Sequence, residues 1–187
     1  PVPTYLWGPP GAGKTHLLRA ARQALLAQGA AVGWLDADAP PRGAFSEQWD
    51  AVLLDDVHLY GAELQHTAFN WFVNAVAPAS GRPRAVLAAG ELPPADLPLR
   101  EDLRTRLGWG HVFELQVLPV TEMRAVLRRA ADARGVFLSD EVMNFVLGRF
   151  SRDLGSLMQL LDHLDRYALE TQRAITIPLI KSMLHNE

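Results

Sequence analysis

Residues 8–15 read Gly-Pro-Pro-Gly-Ala-Gly-Lys-Thr, which fits the pattern G-x-x-x-x-G-K-[ST]. From the glycine, lysine, serine and threonine content of the chain, chance would supply roughly 0.0008 such matches. The chemistry that needs this spacing is the cradling of a polyphosphate. Glycines let the backbone fold into a nest whose N–H groups turn inward, and the helix that follows adds its partial positive charge. Lys14 then reaches the β- and γ-phosphates, and the Thr15 hydroxyl serves as a Mg²⁺ ligand. The candidate site for ATP or ADP is therefore Gly8, Pro9, Pro10, Gly11, Ala12, Gly13, Lys14 and Thr15, with His16 beside it. Lys14 stands out for another reason: of 18 basic residues, only Lys14 and Lys181 are lysine.

Val52-Leu53-Leu54-Asp55-Asp56 supplies a second signal. An apolar strand ending in acids sets carboxylates at the carboxyl edge of a parallel sheet, beside a phosphate loop. Taken alone, the acid pair is equally well explained by a strand-end turn. Placed one strand after a phosphate loop, it points to Asp55 as the residue orienting Mg²⁺ and Asp56 as the one polarising an attacking water. Many related ATPases carry glutamate where Asp56 stands. Aspartate is one methylene shorter, so slow hydrolysis suited to a timed switch is expected.

These groups need a scaffold, and the hydrophobic pattern provides one. Val2–Trp7 reads as a strand ending at the Gly-Pro-Pro-Gly turn, and residues 14–28 as a helix stopped by Gly29. Strands follow at 31–35, 51–54, 84–89 and 111–115, with helices at 59–77 and 101–107. Residues 36–50, with Pro40, Pro41 and Gly43, read as loop. After Pro119 every segment is helical, at about 122–134, 140–149, 152–172 and 178–185, with Thr121, Ser139 and Ser151 placed as N-caps. The expected fold is α/β: a parallel five-stranded sheet flanked by helices over residues 1–118, then a small all-helical lid over 119–187.

Composition narrows the class. The chain has 187 residues, no cysteine, 49% hydrophobic and 21% charged residues and a net charge of −3. Disulfides and thiolate metal sites are excluded, no apolar run is long enough to span a membrane, and the basic footprint of a duplex-DNA binder is missing. The six histidines show no metal-ligand spacing. Trp34, Trp49 and Trp71 read as packing, and Arg124, Arg128 and Arg129 as a solvated helix face or a surface for an acidic partner.

Further stretches carry a resemblance. Tyr5-Leu6-Trp7-Gly8, Gly13-Lys14-Thr15-His16-Leu17-Leu18, Leu54-Asp55-Asp56-Val57, Leu103 to Gly110, Arg152-Asp153-Leu154 and Ile175 to Lys181 resemble the AAA+ P-loop ATPases. Within these they resemble the family of the bacterial replication initiator DnaA and the smaller Hda-type regulators of DnaA. The resemblance implies that Arg106 is an arginine finger reaching the nucleotide of a neighbouring subunit, with Arg104 as its competitor. A guanidinium suits that task, because it offers fixed bidentate donors to charge developing on a γ-phosphate. By the same resemblance Arg152 is the second sensor, contacting phosphate in cis. Glu91 fills the acidic place of the first sensor, although Leu92 replaces the basic residue expected beside it. Trp109 shapes the interface near Arg106 or simply packs.

The resemblance also sets partners. A helix-turn-helix domain beyond the lid is not expected, and residues 36–50 are too short for the DNA-gripping helices of the initiator, which favours the Hda type. The implied partner is a DnaA-type initiator, whose ATP hydrolysis this chain would stimulate to limit re-initiation in the cytoplasm. Hda-type proteins bind the DNA sliding clamp through an N-terminal motif. That motif is expected to be missing here, as is most of the upstream segment that helps hold adenine. A homo-oligomer is possible, and strong direct DNA binding is not expected. A stand-alone initiator or helicase loader acting on single-stranded DNA is the second reading, and a non-catalytic nucleotide-shaped module the third.

Overall fold

A computed structural model of the chain describes residues 1–38, 44–78, 81–150, 154–171 and 174–185. Five strands, β1 (Thr4–Trp7), β2 (Val32–Leu35), β3 (Ala51–Leu54), β4 (Ala85–Gly90) and β5 (His111–Glu114), form one parallel sheet in the order β2-β3-β4-β1-β5. The α/β architecture read from the sequence is the one observed. Helices α1 (Lys14–Ala27), α2 (Ala62–Val76) and α3 (Glu101–Leu107) accompany the sheet.

β3 explains why the sheet is covered on both sides. Ala51 and Leu53 join Leu6, Leu18 and Ala89 in one apolar cluster, while Val52 and Leu54 join Tyr5, Trp71, Phe72 and Leu103 in another. Successive side chains of a pleated strand point to opposite faces, so an unbroken apolar run needs cover on each. Leu53 and Leu54 are at most 1% exposed. Burial of each contributes about 1.5–3 kcal/mol.

The register carries the site. Leu54 pairs with Leu35 and Ala88, and Trp7 with Gly90 and Glu114. Residues following β1, β3 and β4 therefore emerge along one edge, as parallel strands require. β4 lies between β1 and β3, an order that nothing in the sequence discloses.

Boundaries differ from expectation where local chemistry intervenes. The helix expected from residue 59 starts at Ala62, because residues 57–59 form a single 3₁₀ turn and Tyr60 is extended. Tyr60 is held there by its hydroxyl, which donates to Leu35 O at 2.9 Å. α1 ends as Gly29 predicts: the Gly29 N–H donates to Leu26 O and the Ala30 N–H to Leu25 O, both at 3.0 Å. On α1, Leu18 is buried and Leu17 exposed. Arg84, which the sequence reading passes over, is buried and donates to Trp49 O at 2.7 Å and to the Glu47 backbone and carboxylate at 2.6 Å. It ties the segment before β3 to the start of β4. Trp49 and Trp71 pack ring to ring at 4.5 Å, as packing residues should.

The first compact unit is Pro1–Gln116 and the second Val117–Glu187. The second holds α4 (Val120–Ala133), α5 (Asp140–Arg149), α6 (Leu154–Thr171) and α7 (Ile177–His185). Its core takes Met123 and Leu127 from α4, Met143 from α5, Leu157 and Leu161 from α6, and Ile180 from α7. Ser139 caps α5, accepting the Val142 N–H at 3.3 Å. Thr121 does not cap α4; Pro119 occupies that position and Thr121 lies in the first turn. Ser151 lies outside the described residues. Arg128 donates to Leu138 O at 2.9 Å and Asp140 Oδ1 at 2.7 Å, and Arg124 bonds Asn144, so two of the three clustered arginines join α4 to α5. No described helix is long and apolar enough to cross a membrane.

Candidate functional site

The loop between β1 and α1 is shaped by two different demands on glycine. Gly11 and Gly13 have φ of +79° and +88°, which other residues rarely adopt. Gly8 is needed for space: a Cβ there would lie 2.1 Å from Leu115 O, whose own N–H donates to Trp7 O at 2.7 Å. Inside this loop Lys14 is 6% exposed, and its Nζ donates to Gly8 O at 2.8 Å and Pro9 O at 2.9 Å. Leu17 N–H makes the first backbone bond of α1, to Gly13 O at 2.9 Å. The N–H groups of Lys14, Thr15 and His16 precede that bond and so have no acceptor within the helix. A buried ammonium beside such amides, at the positive end of a helix, fits an anion of several negative charges.

The β3 tip answers from across the edge. Asp55 Oδ1 accepts the Thr15 hydroxyl at 3.2 Å and the Asp56 N–H at 3.1 Å. Asp55 is 1% exposed, and this burial, with the adjacent Asp56 charge, pushes its carboxyl up to about 6. Asp56 is also pushed up by burial, while His58 and Lys14 pull it the other way. A hydroxyl and a carboxylate held together are hard oxygen donors of the kind Mg²⁺ takes. Among the described residues no group of three or more His, Asp or Glu could hold a metal by itself.

Asp56 adopts φ 48° and ψ 44°, a left-handed conformation that is costly for a residue with a side chain. The turn it starts delivers His58 to the β4 tip, where His58 Nε2 lies 3.4 Å from Glu91 Oε1. Next to Glu91, the Leu92 carbonyl accepts the buried Tyr5 hydroxyl at 2.7 Å. The structure thus gathers Lys14, Thr15, Asp55, Asp56 and Glu91 along one sheet edge. Nothing in the histidine spacing marks His58; its place two residues past Asp56 is the signal available in the sequence.

A second constellation lies on α2 and α3. Arg106 and Arg100 place their guanidiniums 5.1 and 5.3 Å from the Phe69 ring centroid. Arg100 is paired with Asp102 at 2.7 Å; among the described residues no carboxylate pairs with Arg106. Both arginines line an open depression of 1030 Å³ with Phe69, Thr105, Gly108 and Trp109. Arg104 does not line it, and neither does any residue of the phosphate loop. Phe69 is the residue the sequence reading missed here. Arg152 lies outside the described residues.

Comparison with known proteins gives four matches. The family described as "Hda, lid domain" matches residues 121–184. A protein of Haemophilus influenzae, described only as an uncharacterized protein, is 36% identical over 191 residues, covering 97% of this chain and 80% of its own length. Among solved structures, domain III of the Thermotoga maritima replication initiation protein DnaA aligns with TM-score 0.73 at 21% identity, over 98% of this chain and 83% of that one. The Thermotoga maritima RuvB Holliday junction branch migration motor aligns with TM-score 0.65 at 17% identity, over 98% of this chain and 61% of that one.

Proposed function

The chain belongs to the DnaA/Hda family of AAA+ proteins, and from that premise we propose that it is a nucleotide-dependent regulator of replication initiation, one that speeds ATP hydrolysis by a DnaA-type partner. Solved DnaA structures are described as bound to AMPPCP, one of them also to single-stranded DNA. Here ADP or ATP would be held by residues 8–16, with Lys14 on the phosphates, and Mg²⁺ by Thr15 and Asp55. Mg²⁺ there would neutralise charge between phosphate oxygens. Asp56 orients a water, and the shortness of its side chain keeps turnover in cis slow. Glu91 reads the phosphate end from the β4 tip, and Arg152 from the lid.

The observation that carries the regulatory reading is where Arg106 sits. It lines a depression built from α2 and α3, to which its own phosphate loop contributes nothing. A guanidinium presented there suits a nucleotide bound by another subunit, where it would stabilise charge on the transferring phosphoryl group. The test is DnaA ATP hydrolysis measured with and without this chain, in the presence of sliding clamp and DNA. The wild-type chain should stimulate it, and Arg106→Ala should lower the stimulated rate by about 1000-fold while ADP affinity of the variant stays within about twofold. Stimulation that survives Arg106→Ala would remove the role.

A further inference from the structure

We infer that His58 is a positioning residue: carried on the turn beyond Asp56, its imidazole holds the Glu91 carboxylate so that the acids at the tips of β3 and β4 meet the bound nucleotide as one unit. The inference rests on the nucleotide reading above.

Three observations lead to it. The left-handed Asp56 aims the 3₁₀ turn of residues 57–59 back over β4, at a backbone cost that persists only where the surroundings fix it. Gly90, just before Glu91, makes that approach possible, since a Cβ there would lie 3.0 Å from Val57 Cγ2 and 2.4 Å from the Tyr5 hydroxyl. His58 is itself held on one side alone: Nε2 faces Glu91 at 3.4 Å, while Nδ1 is buried and has no hydrogen-bond partner among the described residues. With Nδ1 unpartnered, Nε2 is the ring nitrogen through which His58 meets the Glu91 carboxylate. A 3.4 Å separation is long for a finished hydrogen bond, and such contacts tighten when a substrate completes the site.

Histidine chemistry permits a discriminating test. A glutamine amide nitrogen reaches where Nε2 lies, whereas an asparagine nitrogen reaches where Nδ1 lies. ADP affinity by calorimetry and single-turnover ATP hydrolysis would be measured on the full chain for His58→Ala, His58→Gln, His58→Asn, Glu91→Gln and the double variant His58→Ala/Glu91→Gln. His58→Ala should slow single turnover about tenfold with ADP affinity within about twofold. His58→Gln should restore the rate to within about threefold, His58→Asn should not, and the double variant should be no slower than Glu91→Gln. The inference is overturned if glutamine rescues no better than asparagine, or if the two single losses multiply. Failure of the wild-type chain to bind ADP or ATP would sink the nucleotide reading along with it; binding with multiplicative losses would sink this inference alone.

Discussion

At the strand tips, charge is buried and answered from within: Lys14 sits on two loop carbonyls, and Asp55 on a hydroxyl and an amide. On the α2–α3 face, Arg106 lies over an aromatic ring and lines an open depression. The two regions manage charge in opposite ways. A buried ion is costly unless something of opposite sign joins it, so the tips are arranged to receive a ligand that brings both anion and cation. A half-exposed guanidinium on a ring costs little and stays available to a surface that arrives from outside.

The comparison can be broken at either end. Lys14→Ala removes the ammonium that would meet the phosphates. ADP affinity should fall about 1000-fold by calorimetry, from two lost charge-assisted hydrogen bonds; a loss under tenfold would mean the tips are not a phosphate site. Gly8→Ala drives a Cβ into Leu115 O and should destabilise the chain by about 3 kcal/mol in urea unfolding. A neutral result there would show that the strand exits have room to give.

Asp55→Asn sharpens the contrast by separating stability from function. In the folded chain the Asp55 carboxyl is raised from 3.8 to about 6, so the folded state holds this proton more tightly than the unfolded one. Its contribution to stability therefore declines as pH rises from about 4 through about 6, and the cost is full above that window. The ligand-free Asp55→Asn chain should melt about 3 °C higher than wild type at pH 8, lose the advantage near pH 4, and lose Mg²⁺-dependent nucleotide affinity. A lower melting point at pH 8 would contradict the burial argument. The smallest effect belongs to the other region: Phe69→Leu removes the ring beneath Arg106 and should weaken stimulation of the partner about threefold, leaving ADP affinity unchanged.

What could be read in advance follows from how far each feature reaches along the chain. Gly11, Gly13, Lys14 and Thr15 act within a few residues of one another, so their types and spacing declare them. β3 declares itself because both faces are apolar. Its neighbours do not, since sheet order depends on pairings between distant segments. His58 finds Glu91, Phe69 finds Arg106 and Arg84 finds Glu47 only after the chain has folded, and no local pattern marks any of the three. The left-handed turn at Asp56 was hidden too, because aspartate tolerates that conformation without advertising it.

Trp109 has an optical consequence. It is 63% exposed on the rim beside Arg106, whereas Trp71 is 2% exposed in the core. An indole in water emits at longer wavelength than one sealed in apolar surroundings, so the red edge of this protein's fluorescence belongs largely to that rim. A partner settling there would shift the emission toward the blue, giving the face a native reporter that needs no attached dye.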